Sequence, residues 1–189
     1  RLILQRNDAL YTARLDCGDT CKEERFLKQV QFLNENNSIS ILGSLCLFFD
    51  PLNQNQFIYH ADEKHDAICK QMHLKCSFIH PTVMFRNESL KQTELYPYNF
   101  PYAEDYAFFF ELIRKFHSHI LQDILVITEL NSEGISVKKR KQQIASKIAV
   151  IKRYGTFKPL IVVGLLRQRL LLLFPHIILT QIKRTLFRC

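Results

Sequence analysis

Apolar positions along this chain follow two rhythms, and the longest passage that carries both runs from His80 to Glu111. His80-Pro81-Thr82-Val83-Met84-Phe85-Arg86 sets β-branched and aromatic residues behind a proline, the pattern of a buried strand. Phe108, Phe109, Leu112, Ile113 and Phe116 recur at helical spacing. The loop between them, Tyr96-Pro97-Tyr98-Asn99-Phe100-Pro101-Tyr102, is rich in proline and aromatics. Glu104 and Asp105 therefore fall in the first helical turn, where unpaired N–H groups and the positive end of the dipole keep a carboxylate ionised. A carboxylate fixed there can take a proton from an attacking hydroxyl, or it can simply cap the helix.

Upstream, Tyr11 to Leu15 reads as a strand that delivers Asp16-Cys17-Gly18-Asp19 at its end. Thr20-Cys21-Lys22-Glu23 has the form of a capping box, and Phe26, Val30 and Leu33 mark one face of a helix that fades at Asn36-Asn37. Ligands gather outside the carboxyl ends of strands in open α/β sheets, and two aspartates there suit a hard divalent cation. An ordinary acidic turn has the same sequence. Ile39 to Phe49 is a strongly apolar strand closed by Asp50-Pro51, Gln56 to His60 is a shorter one, and a helix follows from Ala61 to about Leu74.

That helix carries His65, Cys69 and His73 at four-residue steps, followed by Cys76 and His80, all zinc-ligand types. Burial of Ile68 and Met72 explains the spacing without metal, no CxxC pair is present, and His80 belongs to the next strand. No structural zinc is expected.

Downstream, Asp123 to Leu130 is an apolar strand, Asn131-Ser132-Glu133-Gly134 a turn, and Ser136 opens a helix with an Ile144, Ile148 and Ile151 stripe among lysines and arginines. Gly155 and Pro159 interrupt it. The tail from Leu160 to Thr180 is densely apolar, yet its longest uncharged run, Leu170 to Ile182, is 13 residues, short of the ~20 that a spanning helix needs. It is expected to lie on a membrane or to pack on the domain.

Composition sharpens this picture. With 189 residues, 47% of them hydrophobic, the chain can bury a core. Six unevenly spaced cysteines in a chain of this size point to a reducing, cytoplasmic setting rather than a disulfide scaffold. The net charge of +8 conceals a division: residues 1–133 hold 13 basic and 18 acidic residues, whereas 134–189 hold 13 basic and none acidic. A basic, apolar segment fits an anionic membrane surface, with the protein peripheral at its inner face. Nucleic acid is not an expected partner, because no aromatic platforms are interleaved with the basic tail and no base-reading motif is present.

Together these segments resemble a bacterial family 2 glycosyltransferase. Ala13-Arg14-Leu15-Asp16-Cys17-Gly18-Asp19 followed by Glu24-Arg25-Phe26-Leu27-Lys28-Gln29 is similar to that family's DxD region and its Glu-Arg-x-x-x-Gln helix. His80 to Arg86 and Ala103-Glu104-Asp105-Tyr106 look like its acceptor-side strand and its Glu-Asp motif. The resemblance implies a partial GT-A fold, a Rossmann-like α/β sandwich with a mixed sheet, over residues 1–133, and a helical basic tail over 134–189. It implies sugar transfer from a nucleotide sugar to a glycan or lipid-linked acceptor hydroxyl, in cell-surface polysaccharide or lipopolysaccharide synthesis. Asp105 would be the base beside Glu104; Asp16 and Asp19 would hold the diphosphate and a Mn or Mg ion; His80 and Arg86 would lie on the acceptor side. The chain departs from the family at Gly18, where an Asp is usual, and at Glu129 and Asn131, where an Arg-x-His pair is frequent. The nucleotide-binding half is expected to precede Arg1. The competing reading is an inert remnant that binds membrane or a partner through its tail.

Overall fold

The computed structural model describes residues 9–51, 54–93, 96–130 and 138–174. Their elements are β1 (Tyr11–Ala13), β2 (Thr20–Cys21), α1 (Arg25–Glu35), β3 (Ile39–Asp50), β4 (Asn55–Tyr59), α2 (His65–Gln71), a 3-10 turn (His80–Thr82), β5 (Met84–Arg86), α3 (Asn87–Lys91), α4 (Glu104–Lys115), β6 (His117–Glu129), α5 (Arg140–Tyr154) and α6 (Lys158–Leu173). The strands form one mixed sheet in the order β1-β5-β3-β6-β2, with β4 paired to β3 outside that path. β3 and β6 run parallel, and the other strand pairs are antiparallel. This α/β architecture is compatible with a partial Rossmann-like glycosyltransferase fold.

β3 is the spine of the sheet. Its run of apolar residues is buried from Ile41 to Cys46 because it has a strand on each side and helices against it. α4 supplies the rest of the core: Tyr106, Ala107, Phe108, Phe109, Phe110, Leu112 and Ile113 are all buried, so this helix is interior on nearly every side. Its N-terminal carboxylates are consequently mounted on a helix held by core packing on nearly every side.

Several boundaries differ from those the pattern predicts, each for a local reason. Thr20 and Cys21 do not cap α1; they pair with Ile127 and Val126 of β6, and α1 starts at Arg25 with no side-chain cap. Its buried face is Arg25, Gln29 and Leu33, while Phe26 is 45% exposed. The helix predicted from Ala61 begins only at His65, because Lys64 bridges to His119 and Glu63 accepts a hydrogen bond from the Ile120 N–H, drawing this segment against β6. His80 to Thr82 is a 3-10 turn rather than strand, since Pro81 has no N–H for a ladder and Thr82 bonds back to Ile79 through both its N–H and its hydroxyl. β6 starts at His117, six residues before the predicted Asp123, and this polar stretch is held by parallel pairing with β3. The turn at Asn131 to Gly134 and the helix start at Ser136 lie outside the described residues.

The two C-terminal helices pack on the domain. α5 contributes Val150 and Ile151 to the core around α4. Gly155 ends α5 and Pro159 stands in the first turn of α6, so the predicted interruption is the bend between them. α6 then crosses the C-terminal end of α2, where Arg167 Nη1 and Gln168 Nε2 each donate to the Leu74 carbonyl at 3.0 Å. Gly164 makes the crossing close: a Cβ there would sit 1.9 Å from the His73 carbonyl oxygen.

Candidate active site

β1 and β5 are antiparallel with Ala13 opposite Met84, so the segment leaving β1 and the segment entering β5 meet at one end of the sheet. Asp16 and His80 are brought together there. β2 joins β6 beyond Val126, which places Asp19 beside the C-terminal end of the parallel β3–β6 pair. This is the position that open α/β sheets offer to ligands.

The Asp16 turn is built around Gly18. The Asp19 N–H donates to the Asp16 carbonyl at 3.1 Å, and Gly18 has φ +93°, the geometry of a type II turn that needs glycine at its third position. The turn folds Asp19 back toward Asp16. Burial, with the Asp16 charge adding to it, raises the Asp19 proton affinity above that of an ordinary carboxylate, while Thr128 and His80 oppose the rise.

Asp16 is held from two sides. Arg14 Nη2 donates to Oδ1 at 3.0 Å, and His80 Nδ1 lies 3.0 Å from Oδ2. The other His80 nitrogen, Nε2, lies 2.8 Å from the Tyr96 hydroxyl. An Nδ1–H tautomer satisfies all three groups, donating to Asp16 and accepting from Tyr96. Burial pushes the Tyr96 phenol up to about 12, so it remains a protonated donor near neutral pH.

Asp105 stands at the first turn of α4, as the spacing predicts, and its Oδ1 accepts the Tyr106 N–H at 2.7 Å. Its proton affinity, however, is raised. Burial outweighs the Tyr106 N–H, His80 and Lys147, which all favour the anion, and Glu104 beside it adds repulsion. The helix terminus therefore does not dominate; desolvation does. A carboxylate shifted in this direction is a stronger base and suits proton abstraction near neutral pH.

Lys147, on α5, is the contribution that periodicity conceals. It sits among the lysines of a basic helix, yet it is half-buried, its proton affinity is lowered by burial, and the nearby Asp105 charge acts against that lowering. Gln143 orients this region: its Oε1 accepts from Lys147 Nζ at 3.3 Å and its Nε2 donates to the Tyr102 carbonyl at 3.0 Å. Position i to i+4 on one helix face was the signal that could have found the pair.

Arg25 and Gln29 form the brace behind the site. Arg25 is fully buried; its Nη2 donates to the Arg14 carbonyl at 2.7 Å and its Nε to Gln29 Oε1 at 3.1 Å. Gln29 Nε2 in turn donates to the Thr82 carbonyl at 2.9 Å. One helical turn thus locks the segment bearing Asp16 to the segment bearing His80.

Arg86 lies elsewhere. Its guanidinium donates to the carbonyls of Ile39 at 2.7 Å, Asn36 at 3.2 Å and Leu33, and to the Tyr11 hydroxyl at 3.2 Å, which makes it the clasp on the C-terminal end of α1. Of the zinc-type residues, His65 and Cys69 lie together, Cys69 Sγ 3.5 Å from His65 Nε2, while the side chains of His73, Cys76 and His80 go to other partners. His73 bonds the Cys69 carbonyl and receives the Thr156 and Phe157 N–H groups, Cys76 donates to the Phe78 carbonyl, and His65 faces Ser118. Ile68 and Met72 are fully buried, as the stripe requires.

Among the described residues, no group of three or more His, Cys, Asp or Glu side chains is disposed to hold a metal ion. Asp16 and Asp19 are oxygen donors of the type that hard cations of the magnesium class take, one or two carboxylates at a time with phosphate and water supplying the other oxygens.

No protein-family model matches the chain. Among curated proteins it is similar to the bifunctional glycosyltransferase pgtA of Dictyostelium discoideum, 28% identical over 137 residues that cover 56% of this chain and 18% of that protein. It is also similar to the amylovoran biosynthesis glycosyltransferase AmsE of Erwinia amylovora, 23% identical over 150 residues that cover 79% of this chain and 56% of that protein. The chain spans 18% and 56% of the lengths of these relatives. Sequence and fold agree at this level: the chain is similar to glycosyltransferases and has an α/β architecture compatible with part of one.

Proposed function

We propose that this chain carries the acceptor-side and diphosphate-side portion of a GT-A, family 2 type glycosyltransferase that moves a hexosyl group from a nucleotide sugar to a hydroxyl of a glycan or lipid-linked acceptor. The observation that carries the reading is the His80 bridge, with Asp16 at 3.0 Å on one side and Tyr96 at 2.8 Å on the other, in the electrostatic reach of Asp105. Residues far apart in sequence converge on one end of the sheet.

Asp105 is the base in this reading. Its raised proton affinity equips it to accept the acceptor hydroxyl proton as the oxygen attacks the anomeric carbon, the nucleoside diphosphate leaving from the opposite face. Glu104, adjacent in the same turn, keeps Asp105 from being over-stabilised as an anion. His80 and Tyr96 hold the acceptor side in register with Asp16. Asp16 and Asp19 would bind Mn or Mg, and such an ion supplies positive charge to the leaving diphosphate. In this reading the enzyme works in cell-surface polysaccharide synthesis at an anionic membrane, supported by the amylovoran biosynthesis named for one relative and by the basic charge of residues 134–189.

The test is transfer of sugar from a panel of nucleotide sugars by the full-length protein, with Asp105→Asn and His80→Ala beside the wild type. Loss of turnover in both variants with nucleotide-sugar binding retained supports the assignment. Retained turnover in Asp105→Asn removes Asp105 as base.

A further inference from the structure

α6 is apolar nearly all round, which is the composition of a helix that is buried on every side or that faces lipid. Among the described residues, only one side is covered. Gly164 and Gln168 are buried against the end of α2, while Val162, Val163, Leu166, Leu170 and Leu173 are each more than 50% exposed. At ~100° per residue these five fall within a sector of roughly 100° on the side opposite the docked face. An open hollow of about 430 Å³ borders this sector on one side, lined by Val163, Leu166, Arg167, Leu170, Leu171 and Phe174.

The surroundings indicate what covers this face. Lys158 and Arg169 border the apolar sector, and Lys152 and Arg153 are exposed just before the bend into α6. No Asp or Glu occurs anywhere from residue 134 to 189. A protein partner or second copy of this chain would have to bring acidic groups to that rim, and a second copy would bring the same basic rim. A bilayer with anionic headgroups supplies an apolar interior and negative charge in one surface.

Among the described residues no helix is long and apolar enough to cross a membrane. α6 is also fixed to the domain by Arg167, Gln168 and the close crossing at Gly164, so its outer face is presented rigidly. We propose that α6 is a monotopic anchor that lies in the plane of an anionic bilayer. Val162, Leu166, Leu170 and Leu173 enter the acyl boundary, and Lys152, Arg153, Lys158 and Arg169 rest on the headgroups. The inference stands on this surface alone and holds whether or not Asp105 is catalytic.

The experiment is vesicle flotation of the 189-residue chain with phosphatidylcholine vesicles and with vesicles containing phosphatidylglycerol, at low and high salt. The chain is expected to float with the anionic vesicles, less so in high salt, and only weakly with neutral ones. Leu166→Glu/Leu170→Glu should weaken flotation by at least about tenfold without changing the melting transition. Lys152→Glu/Arg153→Glu/Arg169→Glu, at exposed positions that do not carry the fold, should weaken it to a similar degree and serves if the leucine variant does not fold. Equal flotation with both vesicle types, none with either, or unchanged flotation of the charge-reversal variant overturns the proposal. A dimer that dissociates in the leucine variant while neither form floats overturns it in favour of a second copy as occupant.

Discussion

The guanidinium of Arg25 reaches across 11 positions to the Arg14 carbonyl at 2.7 Å and, through Gln29, is connected to Thr82. This buried pair fixes the relative position of Asp16 and His80, so it should act on stability as well as on the site. Arg25→Met leaves the buried Gln29 Oε1 and the partly buried Arg14 carbonyl without this donor and should cost about 1–3 kcal/mol, the usual range for one unsatisfied buried group. Urea denaturation gives the answer. A variant as stable as wild type would mean that desolvation of the guanidinium cancels its hydrogen bonds.

Asp105 gives a prediction in pH. Because burial raises its proton affinity in the folded protein, the folded state binds more protons than the unfolded chain from the ordinary carboxylate range upward. Stability is then fullest at low pH and declines as pH rises through the raised value. Asp105→Asn removes that decline and should raise the urea midpoint at pH 7, with little gain near pH 4. Parallel pH profiles for the two proteins would contradict the assigned direction.

Much of this was legible in the chain. Alternation and helical spacing located β1, β3 and α4, and the loop-to-helix junction placed Glu104 and Asp105 in a first turn. Asp16 and Asp19 read as a pair from one tetrapeptide; that Asp16 meets His80 depends on the β1–β5 register, which no local pattern encodes. Arg25 and Gln29 escaped as a buried face because polar residues normally mark the solvent side of a helix, and Phe26, apolar yet exposed, pointed the wrong way. Lys147 was hidden among neighbouring lysines for a similar reason. Arg86 shares with His80 the segment that resembles the acceptor-side strand, and strand direction carries its guanidinium to the C-terminal end of α1.

Cation binding should follow the Asp19 carboxylate. Its raised proton affinity means that protons compete with Mn to a higher pH than at an ordinary aspartate, so on acidification binding should weaken earlier than at an unshifted carboxylate. Asp19→Asn should abolish most of the binding and its pH dependence, as followed by Mn electron paramagnetic resonance. Gly18→Asp is not a simple repair, since φ +93° strains any L side chain there. Undiminished Mn binding in Asp19→Asn would remove this residue from the ligand set.

The docking of α6 depends on a missing side chain. Gly164→Ala places a methyl 1.9 Å from the His73 carbonyl oxygen, so the helix must move off α2 and lose the Arg167 and Gln168 bonds to Leu74. Amide hydrogen exchange should accelerate from residue 158 to 173 with α4 unaffected. Unaltered protection of α6 would contradict this close crossing.

The role proposed for Asp105 is to receive the acceptor proton in glycosyl transfer. Single-turnover transfer by the full-length protein, compared between wild type and Asp105→Asn at saturating nucleotide sugar, measures this most directly. A loss of ~10²–10⁴ in rate with donor affinity unchanged is the expected result. An Asn variant that transfers sugar at the wild-type rate would contradict it.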